Sequence, residues 1–151
     1  MIEDENIEFW LTGIGSINQS LEYILKDPRV KLFSLVNQNS LYELYSCVDI
    51  FVNPRPNLYD NDMNFPSKLL DYMSYEKPVV SFKTPGLSPV IAEKLIFTEE
   101  NTSESMANEI SKVVKMDVSF YLKVQKNIRY FKKSRTWISE ARRLIDFCQE
   151  I

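Results

Sequence analysis

A chain of 151 residues with 44% hydrophobic and 13% aromatic content is long enough for one core burying roughly 70% of its unfolded surface, and it is not the composition of a disordered segment. Its net charge of −3 gives no electrostatic reason for a nucleic-acid partner, and the absence of histidine excludes histidine dyads, histidine general bases and the common zinc sites within this sequence. Cys47 and Cys148 are too few for a disulfide scaffold and point to a reducing cytoplasm; no apolar run nears the ~20 residues of a membrane span, and the acidic opening Met1 to Glu5 is not a signal peptide. Ile7 to Thr12 then predicts a buried strand running into Gly13-Ile14-Gly15, followed by a helix N-capped by Ser16 with Gln19 completing a capping box. Ile17, Leu21, Ile24 and Leu25 fall on one face of that helix. Pro28 ends it and Val30 to Phe33 is the next strand. Ser40 and Glu43 form a second capping box that opens a short helix, and Asp49 to Asn53 is a third strand.

From Pro54 to Asn64 the chain turns to Pro, Asn, Asp and Tyr, the composition of a loop. Pro66 suits the first turn of a following helix whose apolar face carries Leu69, Leu70 and Met73. Pro78 to Phe82 predicts a strand covered on both faces. Thr84-Pro85-Gly86 turns the chain into a last short strand at Leu95 to Phe97. Three helices close the sequence. One is capped near Asn101 or Thr102 and buries Met106, Ile110, Val113 and Val114; one spans about Val118 to Phe131; one follows Thr136 with Trp137, Ile138, Ala141, Leu144, Ile145 and Cys148 on one side. Strands alternating with helices imply an α/β fold with a doubly wound parallel sheet.

Charge is unevenly spread. Residues 112–143 hold ten basic and two acidic side chains, near +8, and the rest of the chain is near −11. Two readings stand open: solvated helix faces, or docking to an acidic surface or to anionic lipid headgroups.

Open parallel sheets take ligands outside the carboxyl ends of their strands. Gly13 and Gly15 lie on that edge, serving either a ligand's approach to the backbone or only a tight turn. A third glycine and an acidic residue near Phe33 are missing, so the dinucleotide fingerprint is not met, and there is no Walker A sequence. The run Asn64-Phe65-Pro66-Ser67-Lys68-Leu69-Leu70-Asp71 carries more. With proline in the first turn, the N–H groups of Ser67, Lys68 and Leu69 face outward as a phosphate cradle, aided by the helix dipole. Asp71 follows roughly 6 Å along the axis, placed for ribose hydroxyls. The simpler alternative is an exposed Lys68–Asp71 ion pair at i,i+3.

Residues 39–82 resemble the nucleotide-sugar-binding half of the GT-B glycosyltransferases, family 4 group. Ser40 to Tyr45 resembles its short helix, Val48 to Pro54 its following strand, and Phe65 to Met73 with Lys77 to Ser81 the helix and strand of its donor site. Phe9 to Gly15 is similar to its second strand and turn, and the Trp137 helix to its C-terminal helix, so the likeness spans nearly the whole chain. The resemblance implies a Rossmann-like C-terminal domain in a retaining, metal-independent glycosyltransferase of glycan or polysaccharide biosynthesis. Ser67, Lys68 and Leu69 would hold the donor diphosphate, Asp71 the ribose, and the strand end at Leu35 and Val36 the nucleobase. Further donor-side candidates are Gly13, Gly15, Arg55, Asn64 and Phe65. No metal site and no cofactor are expected.

The family's first acidic residue has Met63 in its place, with Asp62 one position out of register. Its first strand, which lies between those equivalent to residues 7–12 and 49–53, would precede Met1, as would its diphosphate-neutralising Arg and Lys and its acceptor domain. The expectation is therefore a single truncated domain, inactive alone, that closes the gap, borrows a strand or leaves two strand edges unpaired. Expected partners are a nucleoside-diphosphate sugar, the missing N-terminal domain and an anionic surface on the inner face of a membrane carrying a lipid-linked acceptor. A non-catalytic nucleotide-binding or interaction module with the same fold stays open as the alternative. An epimerase on this fold and a phosphoacceptor receiver are weaker rivals; the receiver's acidic pair is missing at Leu11-Thr12-Gly13.

Overall fold

A computed structural model describes residues 2, 4–13, 19–34, 37–55 and 65–150. The chain divides into two units, Met1–Val48 and Asp49–Ile151.

In the first unit β1 (Phe9–Gly13) pairs in parallel with β2 (Val30–Ser34), Phe9 opposite Val30 and Gly13 opposite Ser34. Trp10 packs on Phe33 across the pair, their ring centroids 5.2 Å apart. Sequence alone predicts a buried strand here, but the end of β1 is exposed, Leu11 by 42%. Among the described residues β1 pairs only with β2. Arg29 fastens the unit's opening: its guanidinium grips Asp27 (2.7 Å) and donates to the carbonyls of Ile2 (2.9 Å) and Asp4 (3.1 Å). Between the strands Gln19–Lys26 forms a 3-10 helix rather than the expected α-helix. Ser16 and Ile17 lie outside the described residues; of the expected apolar face, Ile24 is half-buried and Leu25 exposed. Helix α1 (Gln38–Cys47) starts before the expected Ser40 because Asn37 is the N-cap, its side chain accepting from the Ser40 amide (2.9 Å).

The second unit carries the core. Its sheet runs β3 (Phe51–Asn53), β4 (Val79–Ser81), β5 (Ile96–Phe97), all parallel, with β4 central. Val79, Val80 and Ser81 are fully buried, as expected of a strand covered on both faces. Between β3 and β4 lies α2 (Lys68–Ser74), which buries Leu69 and Met73. One turn, α3 (Pro89–Ala92), precedes β5 and is not anticipated by the apolar periodicity. Helix α4 (Ser103–Val114) is capped by Thr102 and buries Met106, Ile110 and Val113. Helix α5 (Val118–Ser134), capped by Asp117, runs a turn longer than expected and buries Ile128 and Phe131. Helix α6 (Trp137–Gln149) begins after its Thr136 cap, but its apolar stripe is uncovered, Trp137 being 93% exposed.

Among the described residues, β1 is flanked only by β2 and β3 only by β4.

Candidate functional site

Parallel pairing brings the carboxyl ends of β3, β4 and β5 to one edge of the second unit. The edge is polar although its strands are apolar. Asn53 stands opposite Ser81 and its side-chain N–H donates to the Ser81 hydroxyl at 2.9 Å, which itself donates to the Phe82 carbonyl at 2.9 Å. Thr84 and Thr98 are buried just beyond the ends of β4 and β5. A cleft of about 560 Å³ opens beside them, lined by Lys83, Thr84, Pro85, Phe97, Glu99 and Asn101 among others; this is the size range of small-ligand sites. The sequence reading sees a turn at Thr84 to Gly86 and misses Lys83, Glu99, Asn101 and the Asn53–Ser81 bond. Its one signal was a polar residue closing each apolar run.

Helix α2 supplies the proposed phosphate cradle. Pro66 is buried and Phe65 half-buried, while Ser67, the N-cap, already has helical angles (φ −54°, ψ −30°) and makes no side-chain capping bond. The first turn is tight. The Leu69 amide donates to the Pro66 carbonyl and the Leu70 amide to the Ser67 carbonyl, each at 3.0 Å. The Leu69 N–H, expected to face outward, is thus engaged, and the Leu69 side chain is fully buried as an anchor. Among the described residues the amides of Ser67 and Lys68 have no partner. Lys68 and Asp71 are both exposed and do not pair with each other. The i,i+3 ion pair that would account for these residues without a ligand does not form.

The far end of α2 is held firmly. Tyr72 stacks on Phe51 of β3, ring centroids 4.6 Å apart, with Tyr75 tilted against the same ring. Glu76 ends the helix in the left-handed region at φ 58°. Its carboxylate takes Arg129 at 2.8 Å and Lys132 at 3.1 Å, and Lys132 also donates to the Ser74 carbonyl at 2.7 Å. The Arg129 hydrogen bond, with that of Lys132, holds the Glu76 carboxyl below its ordinary value. Cations at a helix carboxyl end also oppose its dipole. Sequence reasoning misses this lock because 53 residues separate its partners.

The remaining candidates are not gathered by the described residues. Arg55 is half-buried after β3 and engaged in contacts of its own. Gly13 ends β1 in the first unit, without a positive φ, and a Cβ there would meet nothing within 4 Å; neither a tight turn nor close packing requires glycine at this position. Gly15, Leu35, Val36, Asn64, Met63 and Asp62 lie outside the described residues.

Parallel strands, covering helices and a polar carboxyl edge define a Rossmann-like nucleotide-binding type of domain. Residues 1–116 match the family of group 1 glycosyl transferases, and the chain belongs to that family, with a GT-B glycosyltransferase domain. Membership implies a nucleotide-sugar donor. A comparison with curated proteins finds no match.

Proposed function

We propose that this chain is the donor-binding part of a retaining, metal-independent family 4-like glycosyltransferase that takes a nucleoside-diphosphate sugar. One observation carries the reading: in a member of this family, the start of α2 leaves the Ser67 and Lys68 amides, the Ser67 hydroxyl, the Lys68 ammonium and the Asp71 carboxylate without partners among the described residues. The amides and the ammonium meet the diphosphate, and Asp71 accepts from ribose hydroxyls. In the complete enzyme, positive charge gathered at this helix end would stabilise the diphosphate as it departs. Leu69 acts as the buried anchor rather than as a donor. The domain is proposed to work with an acceptor-binding domain outside this sequence, in glycan or polysaccharide biosynthesis.

Calorimetric titration with UDP, GDP and ADP sugars tests the reading. One base series should bind, a chelator should leave the affinity unchanged, and Asp71→Ala should weaken binding roughly tenfold, as expected for a lost charged hydrogen bond. Failure of all three series to bind, or an Asp71→Ala variant that binds like the parent, would refute it. Met63 at the family's first acidic position favours a second reading, a binding module without turnover. In that case the nucleoside diphosphate and its sugar bind equally well.

A further inference from the structure

The donor reading places its ligand at the start of α2 and leaves the cleft beside β4 and β5 unused. That cleft is mixed in character. Pro85 and the half-buried Phe97 give it carbon surface, while Lys83, Thr84, Glu99 and Asn101 give it donors and acceptors. Its charges cancel. Lys83 and Glu99 are the cation and the anion of the lining, and Lys112, which pairs with Glu99 at 3.3 Å, is shared with Glu109 at 3.0 Å. Two hydroxyls at this edge are also unspent. Thr84 lines the cleft and Thr98 follows Phe97; both are buried, and neither hydroxyl has a hydrogen-bond partner among the described residues. Buried polar groups are nearly always paired, so an orphan asks for a cause.

We propose that this cleft binds an uncharged sugar ring of the acceptor glycan, apart from the donor cradle. A pyranose matches the lining in kind. Its C–H face is apolar and seats on Phe97 and Pro85, and its rim of hydroxyls both donates and accepts, as Lys83, Glu99 and Asn101 together require. A turn about the Cα–Cβ bond of Thr84 exchanges methyl for hydroxyl at the wall and gives the orphan a partner in the ligand. A phosphate or nucleotide calls for net positive charge, which this lining lacks. An acceptor-binding domain closing over the edge would cover the cleft, but a protein surface carries too few hydroxyls to satisfy it. The chain passes from β3 into α2 before returning through β4, so the amide end of α2 shares this carboxyl edge. Neighbouring strands stand roughly 5 Å apart, which sets the cleft on the order of 10 Å from the cradle. The acceptor role rests on the donor reading; the binding of a sugar in the cleft does not.

Amide shifts of the isotope-labelled full chain test it, in titrations with the methyl glycosides of glucose, galactose, mannose and N-acetylglucosamine and, separately, with inorganic phosphate and UDP. At least one glycoside should shift Thr84, Phe97 and Asn101 saturably, keep its affinity at about 0.5 M salt, and leave Ser67 and Lys68 in place. Thr84→Val nearly keeps the shape and removes the orphan hydroxyl. It should melt at a higher temperature and bind the glycoside about fivefold more weakly, the worth of a neutral hydrogen bond. A merely structural hydroxyl would give the reverse, a lower melting temperature with unchanged affinity. Asn101→Ala, at an exposed position, should weaken binding to a similar degree without touching the core. The proposal is overturned if no glycoside shifts these amides, if inorganic phosphate shifts them instead, or if both variants bind like the parent. Cleft shifts from a glycoside, with none at Ser67 from UDP, would uphold the sugar site and sink the donor reading alone.

Discussion

Glu76 occupies a position where helices commonly place glycine, because a side chain in the left-handed region clashes with its own backbone. Its φ of 58° is tolerated here alongside the two cations that its carboxylate holds. Glu76→Ala loses the ion pairs and keeps the strained backbone; Glu76→Gly loses the same pairs but relieves the strain. Glycine should therefore be the more stable variant by about 1 kcal/mol in urea unfolding, net of its extra unfolded-state freedom. Equal stabilities would show that no strain is held there. The pairing also has a pH signature. The folded-state value of Glu76 lies below its ordinary 4.5, so its contribution is complete above about pH 4.5 and fades as pH falls through the lower folded value. Glu76→Gln should flatten that acid limb.

At the scale of elements, α2 is positioned from its carboxyl end and its buried side, leaving its amide end open. Ile128 of α5 is fully buried in the helix that grips Glu76. Ile128→Ala should cost about 2–5 kcal/mol, the range for a truncated core aliphatic, whereas Tyr130→Ala on the outer face should change stability by under about 0.5 kcal/mol. Comparable losses at the two sites would mean that α5 is covered on both sides. Most elements were legible beforehand because their signals are local. Val79 to Ser81 is an unbroken apolar run closed by one polar residue, and Thr102 and Thr136 each precede their helix as capping side chains. The start of α1 was misplaced because Asn37 and Ser40 are both good caps, and only the observed bond from the Ser40 amide to Asn37 decides between them. The engaged Leu69 amide could not be foreseen either. Proline permits either an open or a tight first turn, and the Pro66–Leu69 bond selects the tight one. The grip of Arg129 and Lys132 on Glu76 depends on contacts across the fold, which periodicity does not encode.

At the scale of the whole molecule, burial among the described residues is lopsided. Their buried apolar side chains come from the second unit with the exception of Ile2, and the first unit's strands expose Leu11 and Leu32. Amide protection follows the free energy of local opening, which scales with the apolar surface that opening exposes. Hydrogen exchange should therefore be slowest at Val80 and Ser81 in the central strand. It should be faster by orders of magnitude at Leu11 and Thr12, whose strand is paired on one side only among the described residues. Equal protection of β1 and β4 would show that the first unit is stabilised by something other than its own buried surface.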